Sequence, residues 1–156
     1  MSIYYSLFQS HFTYCSCIYG LKQKQITIEL ARLQLKVLSI IFNCSQSKVK
    51  PIMKANRILT APNLIRLQIA VTMYRAYRTE LPSPIQARFT RHKDALIRAS
   101  ISSRNFVVKR SNSKNQDNCV SYAGVKLWNS LPNEIKDANN IQVFKKLYKS
   151  NLLTGQ

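Results

Sequence analysis

From Pro62 to Arg78 the chain reads PNLIRLQIAVTMYRAYR, and no other stretch restricts the fold as strongly. Leu64, Leu67, Val71 and Tyr74 recur at helical spacing, and Ile65, Ile69 and Met73 widen the stripe until three sides of the helix are apolar. Such a helix is stable only when neighbours surround it, so it is expected to be the central helix of a bundle. Arg66, Arg75 and Arg78 are expected to reach water along its edges. Thr60 and Pro62 suit its start. Leu81-Pro82-Ser83-Pro84 follows its end and marks an expected joint between a helical module, 1–81, and a basic module, 82–156.

Candidate neighbours lie on both sides. Tyr4, Leu7, Phe8, His11, Phe12, Cys15, Ile18 and Tyr19 repeat at three and four, which predicts an amphipathic helix over 3–19, stopped by Gly20. Leu30, Leu33, Val37, Ile40 and Ile41 predict a second helix over 27–43, with Glu29 in its first turn, and the short 21–25 connection makes the two a hairpin. Ser45 to Lys50 reads as a polar break, after which Pro51 opens a single turn through Asn56.

At the other end, Tyr122, Val125, Trp128 and Leu131 place one buried face on a helix over 121–131 that Pro132 terminates. Asp137 to Asn140 supplies turn and capping chemistry, and Ile141, Phe144, Leu147, Tyr148 and Leu152 form the apolar stripe of a helix over 141–153. Between the halves, Ile85 to Phe89 suits a short helix. Residues 90–118 are basic, polar and largely irregular, with one β-prone run, Asn105 to Lys109. That run is expected to form at most a short strand, paired near Cys119, with Phe106 in the core. The expected fold class is mainly α, a small helical bundle.

A chain of 156 residues is long enough to bury such a core without metal or disulfide staples. Its 24 Lys and Arg against 6 Asp and Glu give a formal charge of +18, which attracts polyanions. Nucleic acid is the first partner this implies, and an anionic membrane surface the second. Cys15, Cys17, Cys44 and Cys119 lack metal-ligand spacing, and a helical Cys15-Ser16-Cys17 would turn its thiols roughly 200° apart. Four reduced thiols in an intracellular protein, nuclear or cytoplasmic, are therefore expected, with Cys15 buried and no metal. Three glycines are too few for a phosphate-cradling loop, so no cofactor or small-molecule substrate is expected. The apolar N-terminus is interrupted by Gln9, Ser10, His11 and Thr13, which argues against a signal peptide or membrane span.

Three stretches together resemble a known family. "GVKLWNSLP", "EIK" and "FKKLYKSNLL" near the C-terminus resemble the end of reverse transcriptases from non-long-terminal-repeat retrotransposons of the jockey type. "YYSLFQSHFTYCSCIYG" resembles the segment after the polymerase palm in these enzymes, and "LQLKVLSIIFN" with "ILTAPNLIRLQIAVTMYRAY" fits the same order. The resemblance covers nearly the whole chain and implies the thumb and post-palm region of an RNA-directed DNA polymerase. It also implies what is missing, because that family carries an aromatic-x-Asp-Asp turn in its palm.

The chemistry of the acids leads to the same expectation. Two-metal nucleotide transfer needs carboxylates converging on the ions. Glu29, Glu80, Asp94, Asp117, Glu134 and Asp137 include no adjacent pair, and His11 and His92 are isolated. Glu29 and Glu134 read as first-turn helix acids, and Asp94 and Asp117 as charge compensation in basic surroundings. The expected role is non-catalytic, binding RNA or DNA backbones without sequence preference through Arg88, Arg91, Lys93, Arg98, Arg104, Lys109, Arg110 and Lys114. Two other readings stand beside it: an inert remnant or mispredicted product of a retroelement, and a basic helical module that binds an acidic protein or membrane surface.

Overall fold

A computed structural model describes residues 2–14, 16, 24–92, 104–110 and 119–155, and shows a mainly helical protein. A π-helical stretch, Tyr4–Gln9, runs into α1, Ser10–Thr13. The longer helices are α2, Lys24–Ile41, α3, Gln46–Ala55, and α4, Ala61–Tyr77. After the single turn of α5, Ser83–Gln86, a second π-helical stretch, Val120–Gly124, leads into α6, Val125–Asn129. The chain then forms α7, Asn133–Lys136, and α8, Ile141–Thr154. Two compact units divide it: Met1–Gln68 with Lys149–Gln156, and Ile69–Tyr148.

The first unit has a core of Tyr4, Leu38, Val49, Met53 and Ile58, against which Phe8, Leu35, Val37 and Ile41 pack. At its centre is a polar residue, Gln34, only 1% exposed. Its Nε2 donates to the Tyr4 hydroxyl at 2.7 Å and to the Leu59 carbonyl at 2.8 Å, while its Oε1 accepts from the Ala61 amide at 2.7 Å. Ala61 opens α4, so its amide is one of the donors that a helix start leaves without an internal partner; Gln34 supplies that partner from a different helix. Burial pushes the Tyr4 phenol above its usual pKa, and the hydrogen bond from Gln34 acts in the opposite direction.

The second unit is organised by aromatic side chains. Trp128 is fully buried, with Tyr77, Phe144, Phe106 and Tyr74 at ring-centroid distances of 5.2, 6.0, 6.1 and 6.5 Å. Tyr74 stacks on Phe144 at 4.6 Å and donates its hydroxyl to the Ala138 carbonyl at 2.8 Å. Gly124 permits the close approach of the second π-helical stretch to α4, because a Cβ there would lie 3.0 Å from the Met73 sulfur and from Val120 Cγ1. Asn140 caps α8, its Oδ1 accepting from the amides of Gln142 at 3.0 Å and Val143 at 2.9 Å.

Several expectations are corrected. The first helix ends at Thr13 rather than Tyr19, since Tyr14 turns extended, and Leu7 is 65% exposed. The wider π turn keeps Tyr4 and Phe8 together but swings Leu7 outward. Cys15, Cys17, Ile18, Tyr19 and Gly20 lie outside the described residues. In α2, Leu33 and Ile40 are exposed while Gln34 and Leu38 are buried, so the inward face is rotated from the apolar stripe. The rotation is stable because Gln34 is satisfied at three contacts, two through Nε2 and one through Oε1. Glu29 is not in the first turn, as α2 begins at Lys24; it accepts a hydrogen bond from Gln25 at 3.2 Å.

The supposed break before Pro51 is the first half of α3, with Pro51 inside the helix. Leu147 on α8 is exposed rather than part of the buried stripe, whereas Phe144, Tyr148 and Leu152 are buried. No strand occurs among the described residues; an antiparallel bridge joins Arg91 to Phe106, not to the region of Cys119. The proline joint at 81–84 lies within the second unit, where Gln86 Nε2 donates to the Ala76 carbonyl at 2.8 Å and folds it back on α4.

The two hubs differ in kind, and substitution separates them. Trp128→Ala is expected to cost about 3 to 5 kcal/mol, because its four aromatic neighbours cannot collapse into the space. Gln34→Leu keeps the volume but strands the Ala61 amide and the Leu59 carbonyl, for an expected loss of about 2 to 4 kcal/mol. Urea denaturation of each variant against the parent protein checks both.

Candidate nucleic-acid interface

Of the eight cations expected to meet nucleic acid, Lys93, Arg98 and Lys114 lie outside the described residues. The remaining five gather around one feature. The Arg91–Phe106 bridge is extended by hydrogen bonds from the Val107 amide to the Thr90 carbonyl at 2.8 Å and from the His92 amide to the Asn105 carbonyl at 3.0 Å. In an antiparallel pair, residues falling below 91 and residues rising above 106 leave on the same side. Exposed Arg88 is on one of these chains, and exposed Lys109 and Arg110 are on the other. Arg91 is half-buried at the bridge itself.

Phe106 explains why this arrangement holds. Its side chain is fully buried, beside Phe89 and Trp128, which removes it from any role in stacking on a base. Its backbone is gripped by a side chain: the Asn129 Oδ1 accepts from the Phe106 amide at 3.0 Å, and the Asn129 Nδ2 donates to the Phe106 carbonyl at 2.9 Å. The amide of Asn129 thus stands where a neighbouring strand would. Two residues earlier, the Arg104 carbonyl accepts from the Trp128 indole at 2.9 Å. Consecutive residues of α6 therefore hold 104–106 in place, and the chain leaves this grip just before Lys109 and Arg110.

Arg104 differs from its neighbours. Its Nε lies 2.6 Å from Asp137 Oδ1, and this carboxylate, by hydrogen bond and by charge, holds the guanidinium pKa above its ordinary value. Arg104 is engaged through its Nε in an intramolecular ion pair. Sequence reasoning missed the residue beside it. Lys136 is only 3% exposed, and its amine donates to Asn105 Oδ1 at 3.0 Å and to the Asn129 carbonyl at 3.2 Å. Burial pushes its pKa down, the Arg104 charge acts in the same direction, and Asp137 opposes both. In "NEIKDANN" nothing marks Lys136 as different from the exposed lysines around it.

A second basic surface was also missed. Lys48, Lys50 and Lys54 are exposed on α3, a helix without an acid, and exposed Arg57 follows its end. The spacing of 50 and 54 is visible in the sequence, but reading 45–50 as a break hid the fact that both residues share a helix face. Lys126 is engaged within its own turn, its amine 4.2 Å above the Tyr122 ring. Among the described residues, no group of three His, Cys, Asp or Glu side chains could hold a metal ion, and no helix is long and apolar enough to cross a membrane. Compared with known proteins, the chain matches no family model, no curated sequence and no solved structure.

The Lys136 environment gives a pH signature. The folded state holds this proton less tightly than the unfolded state, where lysine titrates near its ordinary 10.5. Between the lowered folded pKa and the unfolded value the unfolded chain binds more protons, so stability rises with pH across that window and the penalty is fully present below it. Lys136→Met is expected to abolish this alkaline gain. The difference between parent and variant in denaturation midpoint, measured from neutral to alkaline pH, isolates it from the other titrating groups.

Proposed function

We propose that this chain is a non-catalytic binder of RNA and DNA backbones, the post-palm part of a retroelement polymerase in the sense its sequence resemblance implies, acting inside the cell. One observation carries the proposal: a formal charge of +18 on a packed helical protein that holds Arg88, Lys109 and Arg110 exposed beside a side-chain-clamped bridge. A surface meant only for solubility mixes charges of both signs. Here α3 carries three lysines and no acid, and among the described acids Asp137 is taken up by Arg104. Phosphate contacts of this kind position a duplex without reading its sequence.

Nothing in the described residues resembles a base-reading element. Phe106 is buried, and no helix N-terminus with clustered recognition residues is evident in the sequence. The absence of adjacent acids in the sequence supports the non-catalytic part, since two-metal transfer requires carboxylates that converge. Purified protein should therefore incorporate no nucleotide on a primed RNA template with magnesium or manganese; metal-dependent incorporation that survives removal of contaminating polymerases contradicts this.

Binding should show the signature of counterion release. RNA and DNA of unrelated sequence should bind with similar affinity, and on duplex DNA the logarithm of the binding constant should fall with the logarithm of salt at a slope of about −0.9 per phosphate contact. Replacing Arg88, Lys109 and Arg110 together by Ala should flatten that slope by up to about three units with folding intact, because all three are exposed. Arg104 is left out of this triple because its guanidinium is already paired with Asp137. Undetectable binding at low salt, or a slope unmoved by the triple substitution, leaves an inert remnant as the better account.

A further inference from the structure

Between α2 and α3, within the first unit, lies a groove of about 670 Å³ lined by Ala31, Gln34, Leu35, Pro51, Met53 and Pro62, together with Lys50, Lys54 and Thr60. Its size is in the range of small-molecule sites, roughly 300 to 1,000 Å³. We infer that this groove binds a single-chain anionic amphiphile, such as a free fatty carboxylate, with the hydrocarbon tail on the groove floor and the carboxylate between Lys50 and Lys54.

The floor is almost entirely carbon. Its one buried polar side chain, Gln34, is already occupied by Tyr4, Leu59 and Ala61. A ligand that brought polar atoms to the floor would lose its water without recovering hydrogen bonds, so the floor selects a hydrocarbon. The head group is selected differently. Lys50 and Lys54 are one helical turn apart, so their stems line the same wall while their ammonium groups, on exposed residues, stand in water at the mouth. No acid occurs on α3, and the one acid of α2, Glu29, accepts a hydrogen bond from Gln25. The mouth is thus positive and the interior apolar, which matches an amphiphile with one anionic end. Pro51 adds to the fit, since it lines the groove with an apolar ring and carries no backbone donor.

The test is calorimetric titration of the full chain with dodecanoate below its micelle concentration, at neutral pH and low salt. Saturable binding at one site is expected, weakening by up to about fifteenfold for decanoate, since each buried methylene contributes about fourfold. Dodecanol should bind more weakly and dodecyltrimethylammonium not at all. Lys50→Glu combined with Lys54→Glu should reduce dodecanoate affinity at least tenfold while circular dichroism melting stays unchanged, because both residues are exposed. Ala31→Phe, which fills the floor, should reduce it independently and leave the salt slope of RNA binding as it was. Absence of saturable binding, affinity independent of chain length, dodecanol equal to dodecanoate, or indifference to both variants overturns the inference. Anionic phospholipid vesicles provide the last arm: vesicle association as sensitive to Ala31→Phe as dodecanoate binding is would overturn the free amphiphile in favour of a membrane surface.

Discussion

Trp128 and Asn129 together do the work of a neighbouring strand. The indole ring supplies the apolar mass around which Tyr74, Tyr77, Phe106 and Phe144 collect, and its N–H holds the Arg104 carbonyl. The neighbouring carboxamide pairs with both backbone groups of Phe106. An otherwise polar segment is fixed in this way without a sheet, its backbone groups satisfied by side chains of a five-residue helix. Lys136 completes the arrangement by reaching Asn105 and the Asn129 carbonyl. What the second unit exposes beyond Phe106, including Lys109 and Arg110, is placed by these contacts.

Gln34 plays the corresponding part in the first unit. In both units a carboxamide, Gln34 or Asn129, meets backbone groups, and it offers donors and an acceptor without charge. A buried ion would have raised the self-repulsion of a chain already at +18 or required one of its six acids as a partner. Neutral amides satisfy buried backbone at no electrostatic cost. Lys136, the one buried cation among the described residues, follows the same logic in reverse: its amine is met by two neutral oxygens and its pKa is lowered.

Helical periodicity revealed the long elements well, and it failed where a polar residue held the core. The span of α4 follows the sequence closely because its apolar residues surround the axis, leaving no face to misassign. The apolar stripe of α2 misled for the opposite reason: Leu33 and Ile40 look like core residues, and only contacts 25 to 30 residues away make Gln34 the inward one. Pro51 was read as a helix start because prolines usually are, whereas here α3 carries it inside. The interface was partly legible. Charge pointed to Arg88, Lys109 and Arg110, but the Arg104–Asp137 pair joins residues 33 apart and the burial of Lys136 depends on Asn105, 31 residues away. Local spacing carries no record of such pairings.

Helix ends tell a similar story. Asn43, Arg57 and Thr79 take positive φ of 47°, 52° and 58° at the ends of α2, α3 and α4, positions where glycine is usual. With three glycines in 156 residues, the chain closes these helices with other residue types and gives little warning of where they stop. The proposed function requires that the exposed cations form a working phosphate surface. Lysine acetylation in the presence and absence of random-sequence RNA at low salt tests that most directly. Protection of Lys109, with Lys136 unreactive in both states because it is buried, is the predicted result; acetylation of Lys109 and of the α3 lysines at the same rate with and without RNA would contradict it.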